Sequence, residues 1–122
     1  AIVYAAVKKC GLALEYADDI WKSDFEMVAT AVSNRGMALR YAATELQDCE
    51  EIVRLAVGND GYAIRFASER LQDCYDLALL AITTYTDAYN YLSIRLKSNS
   101  EIIKLYSLKK EEENKWLPSR VR

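Results

Sequence analysis

The sequence predicts an all-α solenoid of about five 25-residue helix-turn-helix repeats, of which the last is degenerate. Three observations support this fold class. Glycine recurs at Gly11, Gly36 and Gly61. Residues 27–51 and 52–76 are identical at 12 of 25 aligned positions. Apolar residues within each unit also follow helical spacing, and a fixed period of this length is typical of stacked repeat proteins.

Four columns of small or apolar residues carry the repeat through the chain. They contain Ala6, Ala31, Ala56 and Ala81; Ala13, Ala38, Ala63 and Ala88; Tyr16, Tyr41, Phe66, Tyr91 and Trp116; and Trp21, Leu46, Leu71, Leu96 and Val121. We therefore expect a single helical-repeat domain over residues 1–122. Its units should cover about 1–22, 23–47, 48–72, 73–97 and 98–122.

The first helix of each unit is predicted from a repeated start signal. Residues that favour the N-cap position are followed three positions later by an acidic residue, as in a capping box. The pairs are Ser23 and Glu26, Asp48 and Glu51, Asp73 and Asp76, and Ser98 and Glu101. In the second unit this helix should run over about residues 24–33.

A polar turn and a second helix should follow. Because glycine adopts a left-handed backbone at little cost, Gly36 and Gly61 are expected to end the first helix in that conformation. In the fourth unit Thr86 replaces the glycine, which predicts a changed turn. The second helix is predicted from Met37 to about Gln47, with Ala38, Tyr41, Ala42 and Leu46 directed inward.

The two ends of the chain differ from the repeat. Residue 1 occupies the register of Glu26, inside a predicted helix, so we expect the chain to be a fragment of a longer array. Near the other end, Glu111 to Asn114 replace apolar residues, whereas Trp116, Leu117 and Val121 keep the register. A C-terminal capping unit and a charged, fraying tail over residues 109–115 are both compatible with this pattern.

The segment from Ala31 to Ala42, continued by Leu46 and Asp48, resembles the family catalogued as domain of unknown function 4116. Members of that family carry A-V-x-x-N-G-x-A-L-x-Y-A-S-x-x-L-x-x-D in tandem. The resemblance covers roughly residues 2–107 and departs from the pattern at Lys9-Cys10, Asn34-Arg35 and Thr86. It implies a module of large proteins of bacteria, protists and large viruses. It brings no catalytic residues and no ligand.

Composition restricts the partners and the compartment. With 16 basic and 18 acidic residues the net charge is -2, which favours neither nucleic acid nor an anionic membrane. No apolar run approaches the roughly 18 residues that span a bilayer. Cys49 and Cys74 should lie one repeat apart, too far for a disulfide. With Cys10, they predict free thiols in an intracellular, reducing compartment, or in the host cytosol for a secreted effector.

Catalytic chemistry is not predicted. Histidine is absent, which removes the commonest general base and most transition-metal sites. No phosphate-binding glycine loop and no Cys-x-x-Cys occurs. We expect no catalytic residue, no metal site, no cofactor and no small-molecule ligand. An enzymatic role would require catalytic groups from another domain or partner.

Outward positions supply the candidate binding residues. One file contains Arg40 and Arg65, flanked by Glu15, Asn90 and Lys115, and a second contains Arg70, Arg95 and Arg120. Leu79 and Ile94 are apolar residues in exposed registers, and they suggest a patch near the fourth unit. These residues predict a noncatalytic module that binds a protein or peptide. Anion or nucleic-acid recognition through the arginines is the alternative, and a solvated face with local ion pairs remains open. We assign the aromatic column to the core rather than to base stacking.

Overall fold

The computed structural model describes residues 2–115, and all regular secondary structure in this stretch is helical. Each of the first four units contains a long α-helix, a 3-10 helix and a short α-helix, and the fifth contributes a long α-helix to the described residues. The elements are α1 (Ile2–Lys9), the 3-10 helix η1 (Gly11–Tyr16), α2 (Asp19–Lys22), α3 (Phe25–Asn34), η2 (Gly36–Tyr41), α4 (Thr44–Gln47), α5 (Glu50–Asn59), η3 (Gly61–Phe66), α6 (Glu69–Gln72), α7 (Tyr75–Thr84), η4 (Thr86–Tyr91), α8 (Ile94–Lys97) and α9 (Ser100–Asn114). The long helices therefore recur at the predicted 25-residue period.

The long helices form the core of the stack. Each contacts the long helix of the next unit, and each 3-10 helix contacts both the 3-10 helix and the long helix that follow it. The buried stripe of α3 is Met27, Val28, Ala31 and Val32, as the helical spacing predicts. Equivalent stripes are buried in α5 and α7. The alanine in each stripe lets neighbouring helices approach closely.

The second helix of each unit is divided, contrary to the prediction of one helix from Met37 to Gln47. Between η2 and α4, Ala42 and Ala43 are extended, with ψ angles of 154° and 153°. The Ala43 amide donates to the Lys22 carbonyl of the preceding unit at 2.9 Å. Ser68 and Ser93 donate in the same way to Gln47 and Gln72. The backbone leaves the helical conformation here because its amide bonds to the neighbouring unit.

The predicted capping boxes are wrong by one residue. The N-caps of the long helices are Asp24, Cys49, Cys74 and Asn99. Asp24 accepts from the Met27 amide at 2.9 Å, whereas neither cysteine makes a side-chain capping bond. The predicted caps Ser23, Asp48, Asp73 and Ser98 instead end the short helices.

Gly36 and its equivalents are required for close packing between units. None of the described glycines has a positive φ, so the prediction of a left-handed turn is wrong. A Cβ at Gly36 would lie 2.4 Å from the Ala56 carbonyl oxygen of the next unit. The Gly36 amide donates to Asn59 Oδ1 at 2.7 Å, and Gly11 bonds to Asn34 in the same way. The repeated Gly and Asn thus join one unit to the next.

The last described helix differs from its equivalents. α9 continues past the position at which the other long helices end, and residues 109–114 belong to it rather than to a frayed tail. Tyr106 stacks on Tyr89 with ring centroids 4.3 Å apart, and Lys110 pairs with Asp87 at 2.6 Å. Thr86, which replaces the glycine, is buried. The predictions on Trp116, Leu117, Arg120 and Val121 lie outside the described residues.

Candidate interaction surface

The exposed sides of the 3-10 helices and the residues that precede them form a continuous surface along the stack. Its continuity follows from contacts between neighbouring units. Tyr62 packs against Tyr85 of the next unit, and Asp87 pairs with Lys110 of the unit after that. We define the 3-10 surface as Leu12, Arg35, Met37, Arg40, Tyr41, Asp60, Tyr62, Arg65, Phe66, Tyr85, Asp87 and Tyr91.

Three aromatic rings lie near one arginine on this surface, and a fourth ring packs against one of them. The Tyr62 ring meets Phe66, Tyr85 and Tyr91 edge-on, with centroids 6.0, 5.7 and 5.4 Å apart. The Arg65 guanidinium lies 5.8 Å from the Tyr62 and Phe66 ring centroids and 5.7 Å from that of Tyr91. Arg65 Nη1 also donates to the Tyr62 hydroxyl. We call these five residues the Arg65 cluster.

The Tyr91 hydroxyl of the Arg65 cluster is hydrogen-bonded to Tyr62. The hydrogen bond with Tyr62 raises the pKa of the Tyr91 hydroxyl above its ordinary value, and burial acts in the same direction. The Arg65 charge acts in the opposite direction and is the smaller influence. Tyr91 is therefore neutral at physiological pH, and Arg65 is the charged group of the cluster.

The second predicted arginine file has a structural role in this fold. In the structure Asp48 ends α4 and so belongs to the unit before Arg70. Arg70 Nε lies 3.0 Å from Asp48 Oδ1, and Arg70 Nη2 donates to the Asp48 carbonyl at 2.8 Å. Arg95 makes the same two contacts with Asp73, at 2.9 Å each. Both arginines therefore connect adjacent units.

A serine completes each of these junctions. Ser68 Oγ donates to Asp48 Oδ1 at 2.6 Å and accepts from the Leu71 amide at 3.3 Å. The Ser68 hydrogen bond, followed by that of Arg70, holds the pKa of Asp48 below its ordinary value. The equivalent bonds from Ser93 and Arg95 lower the pKa of Asp73. These carboxylates act between units rather than as the predicted N-caps.

The first arginine file differs from the second in its partners. Among residues 2–115, neither Arg40 nor Arg65 takes part in an ion pair. Arg40 lies 5.7 Å from the Tyr41 ring centroid, and both arginines are exposed. Their register neighbours Glu15 and Asn90 are also exposed. The structure thus separates arginines held by carboxylates from arginines held by aromatic rings.

The two predicted apolar residues occupy different surroundings. Leu79 lies in α7, partly buried and packed against the core. Ile94 begins α8 and is 83% exposed. Of the two, Ile94 is the exposed apolar side chain of the fourth unit.

Sequence reasoning missed Met37, Tyr62 and Tyr85. They belong to no column, because their registers hold different residue types in other units. Tyr62, Arg65 and Phe66 do have the i, i+3 and i+4 spacing of residues that meet on a helix, which was the available signal. In the aromatic column, Tyr41, Phe66 and Tyr91 are half-buried against the core, as predicted, whereas Tyr16 is 85% exposed.

The described residues show two further features that bear on chemistry. In residues 2–115 no three side chains of the His, Cys, Asp or Glu types are placed to hold a metal ion. The thiols of Cys10, Cys49 and Cys74 are free.

None of the helices in this part of the chain is long and apolar enough to cross a bilayer.

The fold and its repeated junctions define an all-α tandem-repeat protein built from 25-residue units. The chain belongs to the family described as Domain of unknown function (DUF4116), whose model matches residues 2–47, 24–72 and 49–97. This match confirms the predicted family resemblance. Its second and third segments begin 25 residues apart, which is the length of one unit. No curated protein and no solved structure matches the chain.

Proposed function

We propose that this chain is a noncatalytic module that binds a protein or peptide partner through the 3-10 surface. The composition of that surface carries the proposal. Tyr, Phe, Met and Arg are the residue types enriched at the centres of protein interfaces, and Tyr62, Phe66 and Tyr91 meet around Arg65. The opposite chemistry, a surface of Lys and Glu, is typical of faces that contact only water.

The geometry of the surface supports the same function. Equivalent positions are displayed unit after unit, which suits an extended segment lying along the stack. The rings of the Arg65 cluster are held by edge-on contacts with one another. Because these side chains are already ordered, a partner that packs on them loses less conformational entropy.

The biological setting is part of the proposal. The family implies a scaffold within a larger polypeptide, such as a microbial effector or a virus-encoded protein. Free thiols at Cys10, Cys49 and Cys74 support an intracellular, reducing compartment, or the host cytosol for a secreted effector.

Recognition of an anion or a nucleic acid is the second candidate. It is favoured by the unpaired state of Arg40 and Arg65 within residues 2–115. Against it, Arg70 and Arg95 are engaged by Asp48 and Asp73, which reduces the predicted cationic surface. A polyanion would bind with a steep loss of affinity as salt rises, whereas packing on aromatic rings depends weakly on salt.

Site-specific photo-crosslinking in cells that express the protein tests the proposal. A benzoylphenylalanine at Tyr85, which is 38% exposed, should give a discrete protein adduct. The same group at Glu51, exposed at the start of α5, is the matched control and should give none. Equal adducts at both positions, or a nucleic-acid adduct at Tyr85, would contradict a protein interface on the 3-10 surface.

A further inference from the structure

We infer that the partner is an acidic peptide segment whose carboxylates bind the exposed edges of Arg65 and Arg40. This inference rests on the proposed function and specifies the chemistry of the partner. The observations behind it are that neither arginine takes part in an ion pair among residues 2–115, and that aromatic contacts orient both.

Arg65 has hydrogen-bonding capacity that the described structure does not use. A guanidinium carries five N–H donors, and within residues 2–115 Arg65 donates one hydrogen bond, from Nη1 to the Tyr62 hydroxyl. Other arginines on the stack, such as Arg54 and Arg95, have a carboxylate within 3.0 Å. Since the Arg65 side chain is exposed, a carboxylate from outside can approach it.

The aromatic contacts prepare Arg65 for such a partner. With its guanidinium near three ring centroids, the side chain is ordered before a ligand arrives. A planar guanidinium held in this way presents a fixed fork, which matches the two oxygens of a carboxylate. Arg40, near the Tyr41 ring, offers a second and less enclosed anchor one unit away.

The surroundings favour separate carboxylates over a continuous polyanion. Asp60 and Asp87 lie on the same surface, and Asp87 is paired with Lys110, so the arginines of this surface are interspersed with carboxylates and do not form a continuous cationic row for a phosphate backbone. The Tyr62 ring is also occupied by edge contacts with three other rings, which leaves it poorly placed to stack on a base. A peptide can place a carboxylate at each arginine and neutral residues between them.

The repeat sets the spacing of those carboxylates. Packed helices lie about 8–10 Å apart, so equivalent arginines of adjacent units should be separated by a similar distance. A peptide in the polyproline II conformation advances about 3.1 Å per residue with three residues per turn, so side chains at i and i+3 share a face and cover the step from Arg40 to Arg65. We expect acidic residues at every third position of the bound segment.

Binding of a defined peptide tests this inference. The probe is a short capped glycine peptide with glutamate at every third position, titrated into the isotopically labelled full chain and followed by amide chemical shifts. Saturable shifts should be centred on η2 and η3, which carry Arg40 and Arg65. Arg65→Gln should weaken the peptide about tenfold, because one charge-assisted, two-bond contact is lost. Arg65→Lys should recover only part of the affinity, since an ammonium has no fork.

The controls separate site binding from bulk charge. Arg54→Gln removes the same charge from the exposed i,i+4 pair with Glu50 and should change the affinity by less than about twofold. Each variant is checked by thermal melting. Equal weakening by Arg54→Gln and Arg65→Gln overturns the inference. So do absence of saturable shifts, equal binding of the glutamine version of the peptide, and tighter binding of oligothymidylate.

The two proposals can fail separately. A protein adduct from the Tyr85 photo-crosslinker that persists in the Arg65→Gln variant would leave the protein interface standing and overturn the acidic partner. Loss of that adduct in Arg65→Gln, but not in Arg54→Gln, would support both.

Discussion

At the scale of single residues, Gly36 shows how little space separates two units. Its absent side chain lets the Ala56 carbonyl of the next unit approach, and its amide bonds to Asn59 Oδ1. The same arrangement occurs at Gly11. At Gly61 the close approach is kept, while Thr84 takes the place of the asparagine and donates to the Val57 carbonyl. The absence of a Cβ at these glycines therefore allows adjacent units to pack this closely.

Replacing Gly36 with alanine should destabilise the protein by about 1–3 kcal/mol, because the new Cβ meets a backbone oxygen that has no alternative position. Gly58→Ala is the matched control. A Cβ there meets only the end of Leu80, at 4.0 Å, and alanine favours the helix by roughly 0.5–1 kcal/mol. Urea unfolding measures both. Destabilisation by both changes would show that the loss at Gly36 does not come from the contact with Ala56.

The junction carboxylates should give the stability of the fold a component that depends on pH. Hydrogen bonds from Ser68 and Ser93, and then from Arg70 and Arg95, lower the folded-state pKa of Asp48 and Asp73. A lowered pKa stabilises the fold above the unfolded value of about 3.9, and this contribution is lost as pH falls through the folded value.

Melting temperatures compared between the wild type and the Asp48→Asn, Asp73→Asn double variant test this dependence. The wild type should be more stable at pH 6, and the difference should shrink as the pH falls below about 4. A difference that stays constant across this range would mean that the ionised carboxylates do not contribute through these bonds.

At the scale of elements, the short helices α4, α6 and α8 fix each unit to its neighbours. Leu71 of α6 is 1% exposed, and the Ser68 amide before it bonds to Gln47 of the preceding unit. Helices of four residues have little stability of their own, so their order depends on these contacts.

Leu71→Ala should therefore cost about 2–5 kcal/mol and reduce protection in the adjoining units as well as in its own. Hydrogen exchange across the chain gives the measurement. Ile94→Ala, at an 83% exposed position of α8, is the control and should shift stability by less than about 0.5 kcal/mol. Loss of protection confined to residues 62–74 after Leu71→Ala would contradict coupling between units.

At the scale of the whole molecule, the two arginine files have different partners. Arg70 and Arg95 join units, whereas Arg40 and Arg65 lie on the 3-10 surface without a carboxylate partner among residues 2–115. The charges of Arg70 and Arg95 are therefore paired between units, whereas those of Arg40 and Arg65 are exposed to solvent.

Two charge reversals should distinguish an arginine that binds the partner from an arginine that stabilises the fold. Arg65→Glu should abolish binding of the partner and leave the melting temperature nearly unchanged. Arg70→Glu should retain binding and lower the melting temperature, because it places a carboxylate beside Asp48. Binding isotherms and melting curves on the same samples give both readouts. Loss of binding only when Ile94 is made polar would instead move the site to the fourth unit.

The candidate site could be predicted only in part. Arg40 and Arg65 were recognised as outward because their register is polar in every unit. Tyr62 and Tyr85 were not recognised as part of the site. They lie 23 positions apart in the chain and contact each other across two units, and their equivalent positions in other units hold unrelated residue types. A column of equivalent residues does not reveal which neighbouring column it touches.

The sequence by itself determined the all-α class, the 25-residue period and the buried stripes, because all three follow from hydrophobic spacing within one unit. Only the tertiary structure decided where the second helix breaks, why Gly36 is glycine and what Asp48 binds. Each of these depends on a backbone or side-chain group one unit away: the Lys22 carbonyl, the Ala56 carbonyl and the Arg70 guanidinium. Local propensity cannot specify such contacts, since they exist only once two units are stacked.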